Sequence, residues 1–346
     1  MERKPARPKV WMLLLAVMIA ALPIARWVNR AREDRRIVER IRASGGWAYH
    51  DHAVSPTGLL FDTEPRVPSA IRRVLGDDLF QTVVEVNLVS HVDEDGRFYR
   101  GQVPNDALMP SIARLEDLRK LTLHRGQARD VSLGQIRSLK HLEELALEQT
   151  KLSDAGVAHL RGLKSLKRLR IQSDAYSDPS ITDRSLEVIG SLPALEELTI
   201  VGRRFSDDGL KHLAKLPRLR KLSLGCYDAR ISDRGLATLS RIRTLETLAL
   251  PLARVSDQGL AHLRALPRLR ELGCEGTSLT DAGMPLLARI DSLETVRLNG
   301  TFVSDSGLDA LLRLPNLRSV DCGFTNVTRE KVSAILKDRP TLWINY

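Results

Sequence analysis

Seven hydroxyl–carboxylate pairs recur down the chain: Ser153-Asp154, Thr182-Asp183, Ser206-Asp207, Ser232-Asp233, Ser256-Asp257, Thr280-Asp281 and Ser304-Asp305. A hydroxyl beside a carboxylate is two-thirds of a nucleophilic triad, and the missing third is a histidine base within hydrogen-bond reach. His159, His212 and His262 share one position of the recurring unit, but in units that are not adjacent, so they read as surface histidines. Two stretches carry metal-ligand types. His50 and His52 share a strand face without a third ligand at a known spacing. His91-Val92-Asp93-Glu94-Asp95-Gly96 imitates part of a calcium loop, but position 1 is His91, position 12 is Gln102 and a strand precedes it. No Gly-rich phosphate loop or CxxC pair occurs. These residues assign no catalytic, cofactor-binding or metal-binding role, and the expectation is a non-enzyme with no cofactor.

What the Ser/Thr-Asp pairs do follows from where they stand. Each follows an LxxLxL run and opens a short apolar-periodic segment, as in Leu142–Leu163, LEELALEQTKLSDAGVAHLRGL. The run reads as a strand and the segment as a helix, which makes the hydroxyl an N-cap and the carboxylate a first-turn partner of the helix dipole. Leu-Pro pairs at Leu192-Pro193, Leu216-Pro217, Leu266-Pro267 and Leu314-Pro315 end the helix before the next strand. Strand signals begin at Val83, Leu118, Leu142, Leu166, Leu195, Leu219, Leu245, Leu269, Leu293 and Leu317. After a first interval of 35 the spacings are 24, 24, 29, 24, 26, 24, 24 and 24, the period of a solenoid. Aromatic content of only 4% fits a stack in which one mid-sized side chain serves every coil.

The residues LxxLxL followed by (S/T)DxGLxxL resemble leucine-rich-repeat proteins over about residues 83–346. They are most similar to the cysteine-containing subclass seen in F-box partners of ubiquitin ligases, with Thr150, Thr277, Thr301 and Thr325 where that subclass places Cys or Asn. The whole layout also resembles bacterial membrane-anchored leucine-rich-repeat proteins, with a basic N-terminus, a short anchor, an Asn29–Arg32 stalk and a Gly-Gly before the cap. The resemblance implies an α/β solenoid: a horseshoe with a parallel concave sheet and short convex helices, preceded by an N-terminal transmembrane helix. It implies protein interaction rather than an activity, since one fold serves many functions. As an alternative, the F-box analogy implies a substrate-recognition adaptor of a larger enzyme complex, though residues 44–82 show no F-box-like helical segment.

Charge is unevenly placed. Of the formal +10, residues 1–42 carry +7 (11 Lys/Arg against 4 Asp/Glu), and the remaining chain is nearly balanced. A balanced array lacks the basic stripe that nucleic acid needs. Val10–Ala25 has no charged residue and is flanked by Trp11 and Trp27, as a short single-pass membrane anchor would be. A cleaved signal peptide remains open, and basic residues on both sides leave the orientation open. The expected layout is a basic tail (1–9), an anchor (10–27), a basic juxtamembrane helix (28–43), an N-terminal cap (44–82), repeats (83–327) and a C-terminal cap (328–346), in a monomeric array. Cys274 and Cys322 lie two coils apart, roughly 10 Å at a rung spacing of about 4.8 Å, too far for a disulfide. With Cys226 they are expected to be buried free thiols.

Two surfaces could take an unidentified protein or surface ligand. The position after the first Leu of each coil alternates in sign over nine coils: Arg119, Glu143, Lys167, Glu196, Arg220, Glu246, Arg270, Glu294 and Arg318. Neighbouring rungs of a parallel sheet would pair these charges, so this ladder is expected to be structural. The irregular coils insert extra residues on one edge, and there Tyr176, Arg203, Arg204, Phe205 and Tyr227 form the candidate protein-binding edge, being hot-spot residue types on inserted loops.

Overall fold

The computed structural model describes residues 8–51, 82–88, 107–124, 129–173, 181–202, 204–226 and 230–346. It divides into two compact units, Met1–Val103 and Pro104–Tyr346.

In the first unit a single helix, α1 (Pro8–Ala43), is followed by β1 (Trp47–His50), which pairs antiparallel with β2 (Val83–Leu88). The expected anchor and juxtamembrane helix are thus one continuous element. Its second half is not a bare stalk: Ala31, Ile37, Val38 and Ile41 make one stripe and are buried. The helix stops through a glycine cap. Gly45 takes φ +81°, its N–H donates to Arg42 O, and the Gly46 N–H donates to Ile41 O, leaving few carbonyls orphaned. A Cβ on Gly46 would press into Leu88 and Ile41, so the turn brings α1 close onto β2. Among the described residues no helix is long and apolar enough to cross a membrane. The side chains of residues 8–21, 23 and 24, most of the charge-free run, lie outside the described residues.

The second unit is a solenoid. Its strands are β3 (Lys120–His124), β4 (Glu144–Thr150), β5 (Arg168–Ser173), β6 (Glu197–Gly202), β7 (Lys221–Cys226), β8 (Thr247–Ala249), β9 (Glu271–Gly273), β10 (Thr295–Arg297), β11 (Ser319–Asp321) and β12 (Trp343–Asn345). They pair parallel in chain order. The register puts Leu121, Leu145, Leu169, Leu198, Leu222, Leu248, Leu272, Val296, Val320 and Ile344 in one buried row. Period-2 alternation then turns the polar residues on either side of that row to the open face. Short helices close each coil behind the sheet, for example Asp183–Ile189, Asp207–Leu213 and Asp233–Leu239. At the C-terminus the helix Arg329–Asp338 and β12 bury Val332, Ile335, Leu342 and Ile344 against Leu308 and Val320. The expected cap is therefore one more coil, reduced to a helix and a three-residue strand.

Candidate functional site

The Ser/Thr-Asp row has a second role beyond capping. The caps themselves are long: Ala155, Arg184, Arg234, Ala282 and Ser306 donate their N–H to the cap hydroxyls at 3.1–3.4 Å. The shorter bonds run between coils. Each aspartate accepts both the N–H and the hydroxyl of the next coil's cap residue: Asp154 from Thr182, Asp183 from Ser206, Asp207 from Ser232, Asp233 from Ser256, Asp257 from Thr280, Asp281 from Ser304 and Asp305 from Thr328. Asp130 does the same for Ser153. The hydroxyl distances from Thr182 onward are 2.5–2.8 Å, the range of charge-assisted bonds.

This staple explains the glycine of (S/T)DxGL. A Cβ at Gly156, Gly209, Gly235, Gly259, Gly283 or Gly307 would land on the preceding coil's aspartate. Ser185 replaces that glycine once, and its hydroxyl donates to Asp154 at 2.6 Å. Burial favours the neutral carboxyl of Asp281. Bonds from Ser304, Ser306 and the Gly307 N–H outweigh it and hold the pKa below the ordinary carboxylate value.

The charge ladder, one residue ahead of the strands, closes in pairs and one triplet rather than as one continuous chain. Lys167 meets Glu143 at 2.7 Å, Arg220 grips both oxygens of Glu246 at 2.9 Å, and Glu294 lies between Arg270 (3.4 Å) and Arg318 (3.6 Å). The Glu246 bond raises the Arg220 pKa and lowers that of Glu246. The backbone runs through the same positions: the N–H of Glu143, Lys167, Glu196, Arg220, Glu246, Arg270, Glu294 and Arg318 each donates to the ladder carbonyl one coil earlier.

A second charged column, one residue further along and missed by the sequence pattern, begins each strand: Lys120, Glu144, Arg168, Glu197 and Lys221. Arg168 bonds Glu144, which raises the arginine's pKa, and Lys221 meets Glu197 at 3.1 Å. Over β3–β6 these residues, with Thr122, Ala146, Arg170 and Thr199, line an open depression of about 210 Å³.

The expected binding edge comes apart into three outcomes. Tyr176, Arg203 and Tyr227 lie outside the described residues. Arg204 is exposed. Phe205 is a correction: it is fully buried, the largest such side chain among the described residues, and cannot meet a partner. It holds the apolar position just before the cap hydroxyl, where other coils place Leu152, Ile181, Ile231, Val255, Leu279 and Val303, all buried. That repeated position was the available signal.

A model of the leucine-rich repeat region matches residues 100–286, more than half of the chain. The chain belongs to the leucine-rich-repeat family. Two crystal structures from Listeria monocytogenes are similar in fold. One is an internalin (inlF), 17% identical, covering 68% of this chain and 70% of that chain with a TM-score of 0.47. The other is an internalin C2 (inlC2), 21% identical, covering 64% and 84% with a TM-score of 0.45. No curated protein sequence matches.

In this leucine-rich-repeat chain two of the three thiols are interior. Cys274 and Cys322 are free and buried, with burial pushing their pKa values up to about 12 and about 11. Cys226 ends β7, and its side chain lies outside the described residues. Thr277, Thr301 and Thr325 each donate their hydroxyl to the carbonyl three residues back, whereas the buried Thr150 hydroxyl has no partner among the described residues. His52 and residues 91–102 lie outside the described residues, and among the described ones no group of three or more His, Cys, Asp or Glu is placed to hold a metal.

Proposed function

We propose that this leucine-rich-repeat chain is a non-enzymatic scaffold that binds a protein or surface ligand and is tethered to a membrane by residues 10–27. One observation carries the binding part: the sheet leaves a whole face open, and over β3–β6 that face holds an open depression of about 210 Å³ with charged walls. Small-molecule sites enclose about 300–1,000 Å³ and are mostly apolar. A broad face of prepaired charges suits a second polypeptide, which can satisfy many side chains at once without needing enclosure. The tether rests on the charge-free run Val10–Ala25 with its flanking tryptophans. Basic residues beside that run would rest on anionic head groups. No observation favours the adaptor alternative.

The test is site-specific photo-crosslinking in native cells, with the probe at Thr199 on the open face or at Lys211 on the helical side. A discrete adduct from Thr199 and none from Lys211, both recovered in the membrane fraction after alkaline washing, is expected. Equal labelling from both positions refutes face-specific binding, and release by the alkaline wash refutes the tether.

A further inference from the structure

Opposite the capped edge, the chain passes from each helix towards the next strand through a short turn: 137–141, 161–165, 190–194, 214–218, 240–244, 264–268, 288–292 and 312–316. These eight turns carry twelve Lys/Arg and one carboxylate, Asp291, and all twelve bases are exposed. Residues 43–346 hold 42 Lys/Arg against 39 Asp/Glu, so everything there outside the turns holds 30 against 38. The near balance of the array therefore hides a separation of charge. Backbone bonds just after the turns align them coil on coil, from Lys167 N–H to Glu143 O through to Arg318 N–H to Glu294 O. Side chains of the turns also bond to the preceding coil. Thr244 Oγ1 donates to Leu219 O at 2.6 Å, Ser292 Oγ to Leu269 O at 2.7 Å and Asn316 Nδ2 to Asp291 O at 2.8 Å. The seven steps of this row span roughly 34 Å.

Two uses within the fold do not account for so many bases. A cation near a helix C-terminus complements the dipole, but the effect fades beyond the last turn. Lys140, Arg218 and Arg243 stand four or five residues past the helices Asp130–Ile136, Asp207–Leu213 and Asp233–Leu239. Ion pairing does not occupy the row either. Among the described residues none of the twelve closes an ion pair, and the ladder glutamates beside them are taken by ladder bases: Glu143 by Lys167, Glu246 by Arg220, and Glu294 by Arg270 and Arg318. Arg268 helps lower the Glu246 pKa through its charge alone, behind the Arg220 bond. One turn, 190–194, is uncharged, and Lys164 Nζ reaches across to its Ser191 carbonyl at 3.4 Å. There the surface opens into a depression of about 440 Å³ lined by Arg161, Lys164, Lys215, His212, Ser191 and Glu187. Three cations and a histidine thus face a single carboxylate.

We propose that this row of turns docks on a bilayer containing anionic phospholipid, with the depression at 190–194 seating one phosphate-bearing headgroup. Lys and Arg close to an anionic leaflet are each attracted to it within about a Debye length, and the row presents many at once. The eight turns contain no Phe, Tyr or Trp. Nothing in them would anchor in the interface or stack on bases, so the contact is with headgroups and does not suit a single-stranded nucleic acid. The depression is also a local seat rather than a groove that follows a phosphate backbone. The inference rests on the proposed tether, because a chain held at a bilayer by residues 10–27 meets headgroups at high effective concentration. It gives the array itself a second partner and leaves the open sheet face clear for a polypeptide.

Photo-crosslinking of the full-length chain to lipid tests it. The crosslinker replaces Ala265 in the row or Ala282 on the capped edge, both exposed. The chain is placed in phosphatidylcholine vesicles with or without phosphatidylglycerol, and lipid adducts are counted by mass spectrometry. With phosphatidylglycerol at about 30%, Ala265 should give about tenfold more adduct than Ala282. The excess should vanish without phosphatidylglycerol, in about 0.5 M salt, and in R161E/K164E/K215E, whereas R161K/K164R/K215R should keep it. Both triple variants should melt with the parent, since none of the three residues closes an ion pair among the described residues. Equal adducts from the two positions, or an excess that survives charge reversal, would overturn the row. So would loss of the excess to millimolar glycerophosphate, which would make a soluble phosphate ester the ligand, or duplex DNA bound through the same three residues and displacing the lipid. A chain that does not float with phosphatidylcholine vesicles refutes the tether. In that case flotation with phosphatidylglycerol vesicles decides the row: it stands if R161E/K164E/K215E loses that flotation and falls otherwise.

Discussion

Replacing Gly209 with alanine sets two magnitudes against each other. Gly209 lies inside the helix Asp207–Leu213, where alanine should stabilise by about 1 kcal/mol on helix propensity alone. Yet the three nearest atoms to an added Cβ all belong to Asp183, none of them farther than 3.0 Å. Asp183 is not free to retreat, because it accepts the Ser206 N–H at 2.9 Å and the Ser206 hydroxyl at 2.5 Å. Hydrogen bonds to a charged group contribute about 1.5–3 kcal/mol each. Losing both and crediting the propensity gain leaves a net destabilisation of about 2–5 kcal/mol. In a repeat array the damage should concentrate at one interface, since each coil contacts only its neighbours. Urea unfolding followed by circular dichroism gives the size, and hydrogen exchange gives the place, with protection lost first in the helices Asp183–Ile189 and Asp207–Leu213. Gly209→Ser should do less harm, because its hydroxyl can donate to the displaced carboxylate as Ser185 does to Asp154. A Gly209→Ala variant as stable as the parent, or more so, would show that the aspartate staple does not hold the coils and that the glycine has no steric role.

Other expectations separate readings in the same way. Thr301→Val breaks a 2.7 Å bond to Leu298 O and should cost about 1 kcal/mol, whereas Thr150→Val removes an unpartnered buried hydroxyl and should be neutral or stabilising; paired urea titrations decide. Phe205→Ala should cost about 3–5 kcal/mol as a core truncation, against almost nothing for Arg204→Ala beside it, and equal effects would return Phe205 to the surface. The Asp281 pKa is depressed in the fold, so its stabilisation is complete above the unfolded value of about 4 and is lost as pH falls through the folded one; the stability gap between the parent and Asp281→Asn should therefore narrow below about pH 4. Cys274, buried with its pKa near 12, should resist alkylation at pH 8 until the chain is unfolded.

Much of the fold was legible because burial repeats. One leucine in three positions per coil leaves a period that no surface substitution hides, and the row from Leu121 to Ile344 follows from it. The Ser/Thr-Asp pairs were half legible. Their capping role follows from local order along one coil, but the acceptor role joins residues 23–28 apart and depends on how coils stack. The glycine three places after six of the seven caps was its trace, needless for a helix and necessary beside a carboxylate. Phe205 was misplaced because aromatic type outweighed position, although the apolar residue before each cap is one column of the core.

The open face and the loop edge differ in what they do for the fold. On the open face acid and base alternate coil by coil, and pairs such as Lys167–Glu143 and Lys221–Glu197 close on their neighbours. Such a face is self-neutralised, and pairs this exposed contribute little each, but nothing there opposes stacking. On the loop edge two bulky residues, Leu252 and Phe324, hold backbone angles suited to glycine. Each departure costs stability, and stacking alone would be served better by the glycine that Gly276 and Gly300 supply one and two coils away from Leu252. The open face, where such pairs leave nothing opposed to stacking, is also the broad surface on which the proposed binding rests.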